Sequence, residues 1–411
     1  MHPARTWKWI LGVEDTVIET LHPEGDRLIV RVRPMARARR RCGRCGRRCS
    51  AYDRGDGRRR WRGLDLGTVR VYLEAESPRV RCVEHGVVVA AVPWARHGAG
   101  FTRAFDDMTA WLAKECAKTA IQALMRISWP TVGRIISRVM ADAGPPSDRL
   151  KNLRRIGIDE VSYRKGQRYL TVVVDHDTGK LVWAAPGADK ATLNRFFDLL
   201  GHDGCQTIEL VSADAASWIR EVVTDRCINA EMCMDAFHVV QWATQALDEV
   251  RRQYWRKART WGQHWKAHDL RGARWALLKN PEDLTDRQRI VLAELQETNK
   301  DLFRAYLLKE QLRAVFQAPS DGATRLLDSW LVWARRCRLE PFVKVASTIT
   351  QLRDQVVSAL QHRLSNARVE ATNTGIRLIT RRAYGFHSPQ ALIALAMLRF
   401  GALCPDLPGR A

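Results

Sequence analysis

The order of strand-like and helix-like segments after residue 150 constrains the fold of this chain more than any other feature. Three strand-like segments come first, and a helix, a strand, a helix and a fifth strand follow. The predicted strands are 155–158, 169–174, 181–185, 208–211 and 231–234, and the predicted helices between them are 193–200 and 216–223. From about residue 239 to residue 361 the pattern is helical and rich in tryptophan, and a last helical block runs from 370 to 403. This order predicts an α/β sheet that a long helical segment interrupts.

Three strands, helix, strand, helix and strand is also the order of an RNase H-like fold, so we expect that fold with an all-α insertion. Before it, the first hundred residues alternate apolar and charged positions at 27–33 and 69–74, as half-exposed strands do. The pattern is helical from 101 to 143, and Gly144-Pro145-Pro146 then predicts a linker. The sequence therefore predicts a multidomain α+β protein.

The charge of the chain favours a polyanionic partner. Its 411 residues carry 67 Lys and Arg against 45 Asp and Glu, a formal net charge of +22, and basic residues crowd between Arg31 and Arg62. Lys and Arg gain affinity for nucleic acid by releasing phosphate counterions. The alternative is a generally basic protein from an arginine-rich proteome. Trp7, Lys8 and Glu14 interrupt any apolar N-terminal stretch, and we expect a cytoplasmic protein with no membrane span.

Two pairs of metal-ligand residues occur in the basic N-terminal region. Cys42 and Cys45 form one pair, and Cys82 and His85 form the other, each with a two-residue spacer. Zinc takes four N or S ligands in a tetrahedron, and this spacer allows one tight turn to supply two of them. We expect structural Zn²⁺ here. Cys49 is the chief competitor for a ligand position, and unligated cysteines are the alternative.

Three short helices are predicted at 101–113, 119–125 and 129–141, in the manner of a helix-turn-helix. Ser128 is a suitable N-cap and Pro130 falls in the first turn of the third helix. Thr131, Arg134 and Arg138 share one face of it, as residues that enter a major groove do. An ordinary helical hairpin with a solvated face is the alternative.

Three carboxylates are candidates for a metal site. Asp159 follows the apolar residues 156–158 and is expected at the end or edge of a buried strand; Asp214 follows the fourth strand; Glu370 lies on a late helix with Asn373 and Arg377 on its face. Phosphoryl transfer by two Mg²⁺ ions needs oxygen ligands on rigid elements. We expect Asp159 to bridge both metals and the other two acids to complete one each, with Mn²⁺ as a possible substitute.

A second polar cluster follows the fifth strand. His238 is a candidate for contacting a phosphate or assisting proton transfer, and Asp235 for orienting His238 or touching the metal. Spacing alone leaves open whether Asp214 or Asp235 is the middle acid. For Glu160 a capping or surface role is the default expectation.

Nearly the whole chain resembles the ISL3 family of bacterial insertion-sequence transposases, a DDE group with an RNase H-like core. The resemblance is carried by residues 156–160 (IGIDE), 234–239 (MDAFHV), 246–252 (ALDEVRR) and 365–385 (SNARVEATNTGIRLITRRAYG), and the last is the most specific. The Cys/His pairs resemble the family's zinc module, and residues 119–139 its helix-turn-helix. His85 stands where a fourth Cys is usual, Ala236 replaces a common Arg and Ala371 a common Gly. None of these departures removes an expected metal ligand.

The resemblance implies a transposase that binds the terminal inverted repeats of its own element, cuts with Mg²⁺ and joins the ends to target DNA. It implies Asp159 and Glu370 as first and last catalytic acids, and a homodimer or larger assembly in the synaptic complex. By analogy with Mutator-like transposases, Asp235 and His238 take supporting roles. The protein would associate with the nucleoid when bound to DNA.

The helical insertion carries a basic face with further candidate DNA contacts, among them Arg251 and Arg252; Arg377 on the Glu370 helix is another. We expect five segments: a zinc-binding domain at 1–98, a helix-turn-helix at 99–148, the catalytic core at 149–240 and 360–411, and the insertion at 241–359. A non-catalytic, domesticated DNA-binding protein and a structure-specific RNase H-like nuclease are the alternative functions.

Overall fold

The structure, a computed structural model, describes residues 3–386 and 388–409, with side chains from residue 5 onward. Within it the chain forms two compact units, residues 1–145 with 378–411 and residues 146–377. None of the helices in the described ranges combines the length and apolar character that a membrane span requires.

The first unit contains two small sheets and a helical part. Its strands are β1 (Thr16–Glu24), β2 (Arg27–Pro34), β3 (Ser50–Asp53), β4 (Arg58–Arg62), β5 (Arg70–Glu76), β6 (Arg79–Cys82) and β7 (Gly86–Val89). Its first helices are α1 (Pro3–Ile10), α2 (Arg103–Glu115), α3 (Lys118–Met125) and α4 (Trp129–Asp142). The four-stranded sheet has the order β1-β2-β5-β4 and the three-stranded sheet the order β3-β6-β7. The strands predicted at 27–33 and 69–74 are confirmed as β2 and β5.

The helices predicted at 101–113, 119–125 and 129–141 are confirmed as α2, α3 and α4. The apolar stripe of α4, at Val132, Ile135, Ile136 and Val139, is buried, which gives the three helices a common core. Ser128 is the residue before α4, but its side chain caps no backbone N–H. Its hydroxyl instead hydrogen bonds to the Thr131 hydroxyl at 2.8 Å, so Ser128 is confirmed as the N-cap residue but makes no capping hydrogen bond through its side chain.

The second unit contains a five-stranded sheet and a long helical region. Its strands are β8 (Arg155–Arg164), β9 (Arg168–Asp175), β10 (Leu181–Pro186), β11 (Leu210–Ala213) and β12 (Glu231–Met234). Beside the sheet are α5 (Lys190–Thr207) and α6 (Ser217–Arg226). The later helices are α7 (Ala236–Thr260), α8 (His264–Gly272), α9 (Arg274–Leu278), α10 (Asp286–Thr298), α11 (Lys300–Gln317), α12 (Ser320–Arg336), α13 (Glu340–Gln351), α14 (Arg353–His362), α15 (Ala367–Arg382) and α16 (Pro389–Phe400). Of these, α16 and the end of α15 from Leu378 onward belong to the first unit.

The five strands have the spatial order β10-β9-β8-β11-β12. β8, β9 and β10 pair antiparallel, whereas β8, β11 and β12 run parallel. One face of the sheet packs on α5 and α6 through Ile156, Ile158, Phe196 and Val223, all fully buried. The order of strands and helices predicted from sequence is therefore confirmed.

The helices from α7 to α14 share a separate apolar core centred on the fully buried Trp330, whose indole N–H donates to the Leu308 carbonyl at 2.8 Å. Trp242, Trp255 and Trp333 pack against this core. Trp261, Trp265 and Trp275 are exposed instead, by 70%, 66% and 57%. Core packing therefore accounts for only some of the tryptophans in this region.

Candidate active site and metal centres

Three aspartates lie level with one another at three adjacent parallel strands: Asp159 within β8, Asp214 directly after β11 and Asp235 directly after β12. In the β8–β11 pair Gly157 is opposite Ser212, so Asp159 and Asp214 are each two residues further along. In the β11–β12 pair Ala213 is opposite Met234, so Asp214 is level with Asp235. The Asp235 N–H also donates to the Ala213 carbonyl at 3.1 Å. Ligand sites in α/β sheets form where parallel strands end, and this register gathers three carboxylates at such an edge.

Asp159 lies inside a strand, so of the two positions expected for it, the end or the edge of a buried strand, the end is not observed. β8 continues to Arg164 because its pairing with β9 continues, with Asp159 opposite Val172. Its pairing with β11 stops at Gly157. Asp159 therefore lies just past the point where β8 stops pairing with the parallel strand β11, while β8 still pairs with the antiparallel strand β9.

The helix that carries Glu370 is tied to this edge of the sheet at two places. The Asn366 N–H, just before α15, donates to Asp235 Oδ1 at 3.4 Å, and Asn366 Oδ1 accepts from the Ser212 hydroxyl. One turn beyond Glu370, the Asn373 amide donates to Asp159 Oδ2 at 2.8 Å. Asn366 and Asn373 are both 1% exposed. These bonds fix Glu370 relative to the aspartates.

A buried histidine completes the packing under α15. His176 Nε2 is 2.6 Å from the Ser212 hydroxyl, which in turn bonds to Asn366. Burial, followed by the charge of Arg368, lowers the pKa of His176 to about 4. The neutral imidazole is therefore the form that belongs to the folded site near neutral pH.

Gly157 allows α15 to approach the sheet. A Cβ at this position would overlap Val369 Cγ2 and lie 2.7 Å from His176 Nε2. Both neighbours are buried: Val369 is 0% exposed and His176 is 5% exposed. Neither side chain therefore has room to move away from an added Cβ. The glycine in the 156–160 segment is required by this close contact.

We expect Gly157→Ala to lower the free energy of unfolding by about 1–3 kcal/mol, the cost of overpacking a core, because the added Cβ overlaps Val369 of α15. Denaturant unfolding measures this loss of stability. Gly322→Ala is the matched control, since a Cβ at Gly322 in α12 meets nothing within 4 Å. That change should leave stability the same or slightly higher. Equal stability of both variants would contradict the close-packing argument.

The acidic side chains repel one another in a partly buried setting. Burial raises the pKa of Asp159, the Glu160 N–H bond to its Oδ1 at 2.7 Å opposes this, and the charge of Asp214 adds to the rise. Burial, with the charges of Asp214 and Asp159, raises the pKa of Glu160 to about 7. Glu160 Oε1 is also buried and accepts no hydrogen bond from the described residues, so the surface or capping role expected for Glu160 is wrong.

Asp235 and His238 form a hydrogen-bonded pair at the start of α7. His238 Nδ1 is 2.9 Å from Asp235 Oδ2, and this bond raises the pKa of His238. The charges of Asp214 and Asp159 raise it further. Burial and then the charge of Asp235 raise the pKa of Glu370, while His238 and Arg377 lower it. The predicted catalytic residues therefore belong to one electrostatic cluster.

Asp214 and Asp235 differ in how their oxygens are used. Asp235 is 1% exposed, its Oδ1 accepts from the N–H groups of Phe237 and Asn366, and its Oδ2 bonds to His238. Asp214 is half-exposed, and its Oδ1 accepts from the Ala216 N–H at 3.0 Å. In the described residues Asp214 Oδ2 has no hydrogen-bond partner. Asp214 thus differs from Asp235 in being half-exposed and in having one oxygen with no hydrogen bond.

The donor set fits a hard divalent cation. Two buried oxygens, Glu160 Oε1 and Asn373 Oδ1, have no hydrogen-bond partner among the described residues, although an orphaned buried oxygen is costly. Both residues adjoin Asp159 through hydrogen bonding or charge. A cation bound to oxygen ligands would relieve this mutual repulsion. Among the described residues, the carboxylate oxygens of this site are not all as close together as the ligand atoms of the cysteine and histidine group described below. A site for two metal ions about 4 Å apart requires such a wider spacing of its ligands.

Cys42, Cys45, Cys82 and His85 form the one group in the described residues whose ligand atoms all lie within 4.8 Å of one another. Cys82 Sγ is 3.7 Å from both Cys45 Sγ and His85 Nδ1. Gly46, with φ +70°, closes the first turn in the left-handed region that favours glycine. Cys49 lies outside the group and its thiol donates to the Arg47 carbonyl at 3.3 Å. The cluster has the composition of a structural zinc site.

The predicted DNA-reading face of α4 divides in two. Arg134 is exposed and its guanidinium donates to the Thr131 hydroxyl at 3.1 Å, so these two residues are available together. Arg138 instead makes two hydrogen bonds of 2.8 Å to the carboxylate of Asp106, which is fully buried on α2. Arg138 therefore ties α4 to α2.

The other predicted DNA contacts also differ in exposure. Arg251 is 8% exposed, and its guanidinium bonds to Asp248 at 2.9 Å and to the Leu270 carbonyl at 3.3 Å. Arg252 and Arg377 are exposed. Arg251 is thus a structural residue between α7 and α8, and the other two remain accessible.

No role is predicted from the sequence for Ser212, Asn366 or His176, and Glu160 is expected there only as a capping or surface carboxylate. Asn366 is the second residue of the most specific matching segment, and this was the available signal for it. Ser212 and His176 carry no such signal, since nothing in the sequence indicates that they meet beneath α15.

Comparison with known proteins gives a consistent result along the chain. Residues 156–396 match the DDE transposase model of the ISL3 type, residues 90–140 the helix-turn-helix domain of transposase family ISL3, and residues 38–85 the zinc-finger of transposases of IS204, IS1001, IS1096 and IS1165. The transposase for insertion sequence element IS1557 of Mycobacterium tuberculosis is 55% identical over 100% of this chain and 98% of its own length. The transposase for IS1001 of Bordetella parapertussis is 25% identical over 92% of each.

Proposed function

This chain belongs to the ISL3 family of insertion-sequence transposases, and from this premise we propose that it binds the terminal inverted repeats of its own element, cuts the DNA strands there and joins them to target DNA. The observation that carries the proposal is the register that brings Asp159 and Asp214 level at one edge of the sheet, with Glu370 fixed beside them by Asn366 and Asn373. A homodimer or larger assembly would hold two ends together.

We propose that the sheet of the second unit, with α15, is an RNase H-like catalytic core and that α7 to α14 are its insertion. The order β10-β9-β8-β11-β12, with only β9 antiparallel to both neighbours, supports this. The all-helical character of the region between β12 and α15 supports the second part.

Asp159, Asp214 and Glu370 would hold the divalent metal, with Asp159 shared between two ions. Bound Mg²⁺, or Mn²⁺ in its place, would activate the attacking oxygen and stabilise the leaving one. Asp235 holds His238 through the 2.9 Å bond, and His238 is the group available to contact a phosphate or carry a proton. We assign the middle position to Asp214, which is level with Asp159 and half-exposed, whereas Asp235 is 1% exposed and holds His238.

End recognition would rest on the first unit. A zinc ion on Cys42, Cys45, Cys82 and His85 would hold the basic module, and Thr131 and Arg134 of α4 would face the major groove. Arg138 would act through its bond to Asp106, by keeping α4 in place, and would not read bases. Arg252 and Arg377 would contact phosphate.

The middle acid can be tested with supercoiled plasmid that carries the element ends, in the presence of Mg²⁺. We expect nicks that map to the ends, and we expect Asp214→Asn to lower their rate by at least about a hundredfold, because a charge that stabilises the transition state is lost. Asp225→Asn is the control, since Asp225 is an exposed acid on the neighbouring helix α6.

Full cleavage by the Asp214→Asn protein would remove Asp214 from the site. End binding without cleavage by the unsubstituted, zinc-loaded protein would instead favour a DNA-binding protein that has lost its activity.

A further inference from the structure

A strongly basic groove lies between α7, α8 and α9, among the helices of the second unit. It has a volume of about 530 Å³, and five arginines line it: Arg251, Arg252, Arg259, Arg271 and Arg274. His264, His268 and Trp255 complete its walls. No carboxylate is among the described residues that line it.

The positive charge of this groove exceeds what the protein neutralises. Three arginines share the Asp248 carboxylate: the shortest distances from a guanidinium nitrogen to an Asp248 oxygen are 2.7 Å for Arg251, 3.2 Å for Arg252 and 4.0 Å for Arg274. Arg252 also has Glu249 at 3.3 Å, a carboxylate that it shares with Arg256. Within the described chain, neither Arg259 nor Arg271 has a carboxylate oxygen within 4.0 Å. Uncompensated charges that are held together repel one another, and a polyanion would relieve the repulsion.

The groove is also held in shape. Arg251 is buried and joins α7 to the end of α8 through the Leu270 carbonyl. The Arg259 guanidinium lies 5.0 Å from the centre of the Trp255 ring, and the Arg274 guanidinium 5.2 Å from that of Trp275. An arginine side chain that is already stacked on an indole ring loses less conformational freedom when its guanidinium binds a phosphate. Basic grooves with interleaved aromatic rings are also typical of nucleic-acid binding.

We propose that this groove binds the phosphodiester backbone of DNA, without reading sequence, through Arg259 and Arg271 together with Arg252 and Arg274. The planar guanidinium fork suits phosphate oxygens, and four such groups on three neighbouring helices suit a run of phosphates. That this DNA is the transposase's own substrate rests on the proposed function. The groove extends DNA contact to α8 and α9, beyond the residues that the sequence indicated.

The test compares the full-length, zinc-loaded protein with an Arg259→Gln/Arg271→Gln variant. Because neither guanidinium has a carboxylate partner in the described residues, the change breaks no ion pair of the fold. Affinity is measured from about 0.1 to 0.4 M salt, on DNA with an element end and on unrelated DNA. We expect the slope of log K against log salt to fall by about 2 and the affinity near 0.2 M salt to fall about tenfold, equally on both DNAs.

Arg287→Gln/Arg325→Gln is the matched control. It removes the same charge from two exposed arginines on α10 and α12 that do not line the groove and have no described carboxylate within 4.0 Å. The proposal would be overturned if the slope of log K against log salt for the groove variant equalled that of the control variant or that of the unsubstituted protein. A second contrary result is a groove variant that binds DNA as the unsubstituted protein does and yet is no longer retained on polyglutamate. That result would overturn the proposal and would identify an acidic protein segment as the ligand of the groove.

Cleavage of the end-bearing plasmid by the unsubstituted protein is recorded in parallel. If it cuts the ends and the groove variant binds DNA normally, only the groove assignment fails. If it does not cut but the salt slope changes as expected, the proposed function fails and the groove assignment stands.

Discussion

An Asp159→Asn protein is expected to lose DNA cleavage by at least about a thousandfold, equivalent to about 4 kcal/mol of activation free energy, while its affinity for the element ends stays within about twofold. Asparagine keeps the shape of the side chain but removes the negative charge that both metal ions would share. Glu370→Gln should have a comparable effect. Cleavage and gel-shift assays on the same end-bearing DNA measure activity and binding separately.

Stability distinguishes this effect from simple misfolding. Burial raises the pKa of both Asp159 and Glu370, so their ionised forms are costly in the metal-free folded protein. A neutral isostere removes that cost, and the melting temperature without metal should therefore be unchanged or higher. Glu297→Gln, on the exposed face of α10, is the control for charge loss. Cleavage near the normal rate by either site variant would exclude that acid from the catalytic role.

The second large effect concerns zinc. Cys82→Ser is expected to abolish zinc binding and, with it, binding to the element ends, because structural zinc supplies about 10–16 kcal/mol of folding free energy to small modules. The ligand atoms of Cys42, Cys45, Cys82 and His85 lie close enough together to share one ion. Metal content per chain and end affinity are the measurements.

Cys49→Ser is the matched control for the zinc experiment. Its thiol lies outside the ligand group and bonds to the Arg47 carbonyl. This variant should retain one zinc per chain and normal end binding. Loss of zinc from Cys49→Ser, with retention by Cys82→Ser, would mean that the ligand set is wrong.

Much of the sheet was predictable because its buried strands are apolar. The strand predicted at 231–234 is confirmed to the residue as β12. β8 was predicted too short, because Val161 is the one buried apolar residue among 159–164: this segment stays in the sheet through backbone pairing with β9. Hydrophobic patterning detects a strand from its buried apolar side chains. It does not detect a strand segment that stays in the sheet mainly through backbone hydrogen bonds to its neighbour.

The residues of the candidate site divide in a similar way. Asp159, Asp214 and Asp235 follow or interrupt strands, so their meeting at one edge was predictable from chain order. The roles of Arg138 and Arg251 were not, because spacing along a helix gives the face but not the neighbour across it. Arg138 meets an aspartate on α2, and Arg251 meets a carbonyl on α8.

The bond between Asn373 and Asp159 joins residues 214 positions apart in the chain. During synthesis, Asp159 and Asp214 leave the ribosome well before Glu370, and the intervening stretch of about 150 residues takes roughly 8–30 s at 5–20 residues per second. Throughout that interval the zinc and helix-turn-helix segments have already been made, whereas the acidic site lacks its last member. The nascent chain thus carries its zinc and helix-turn-helix segments long before Glu370, whereas α16, which completes the first unit, is made only after Glu370.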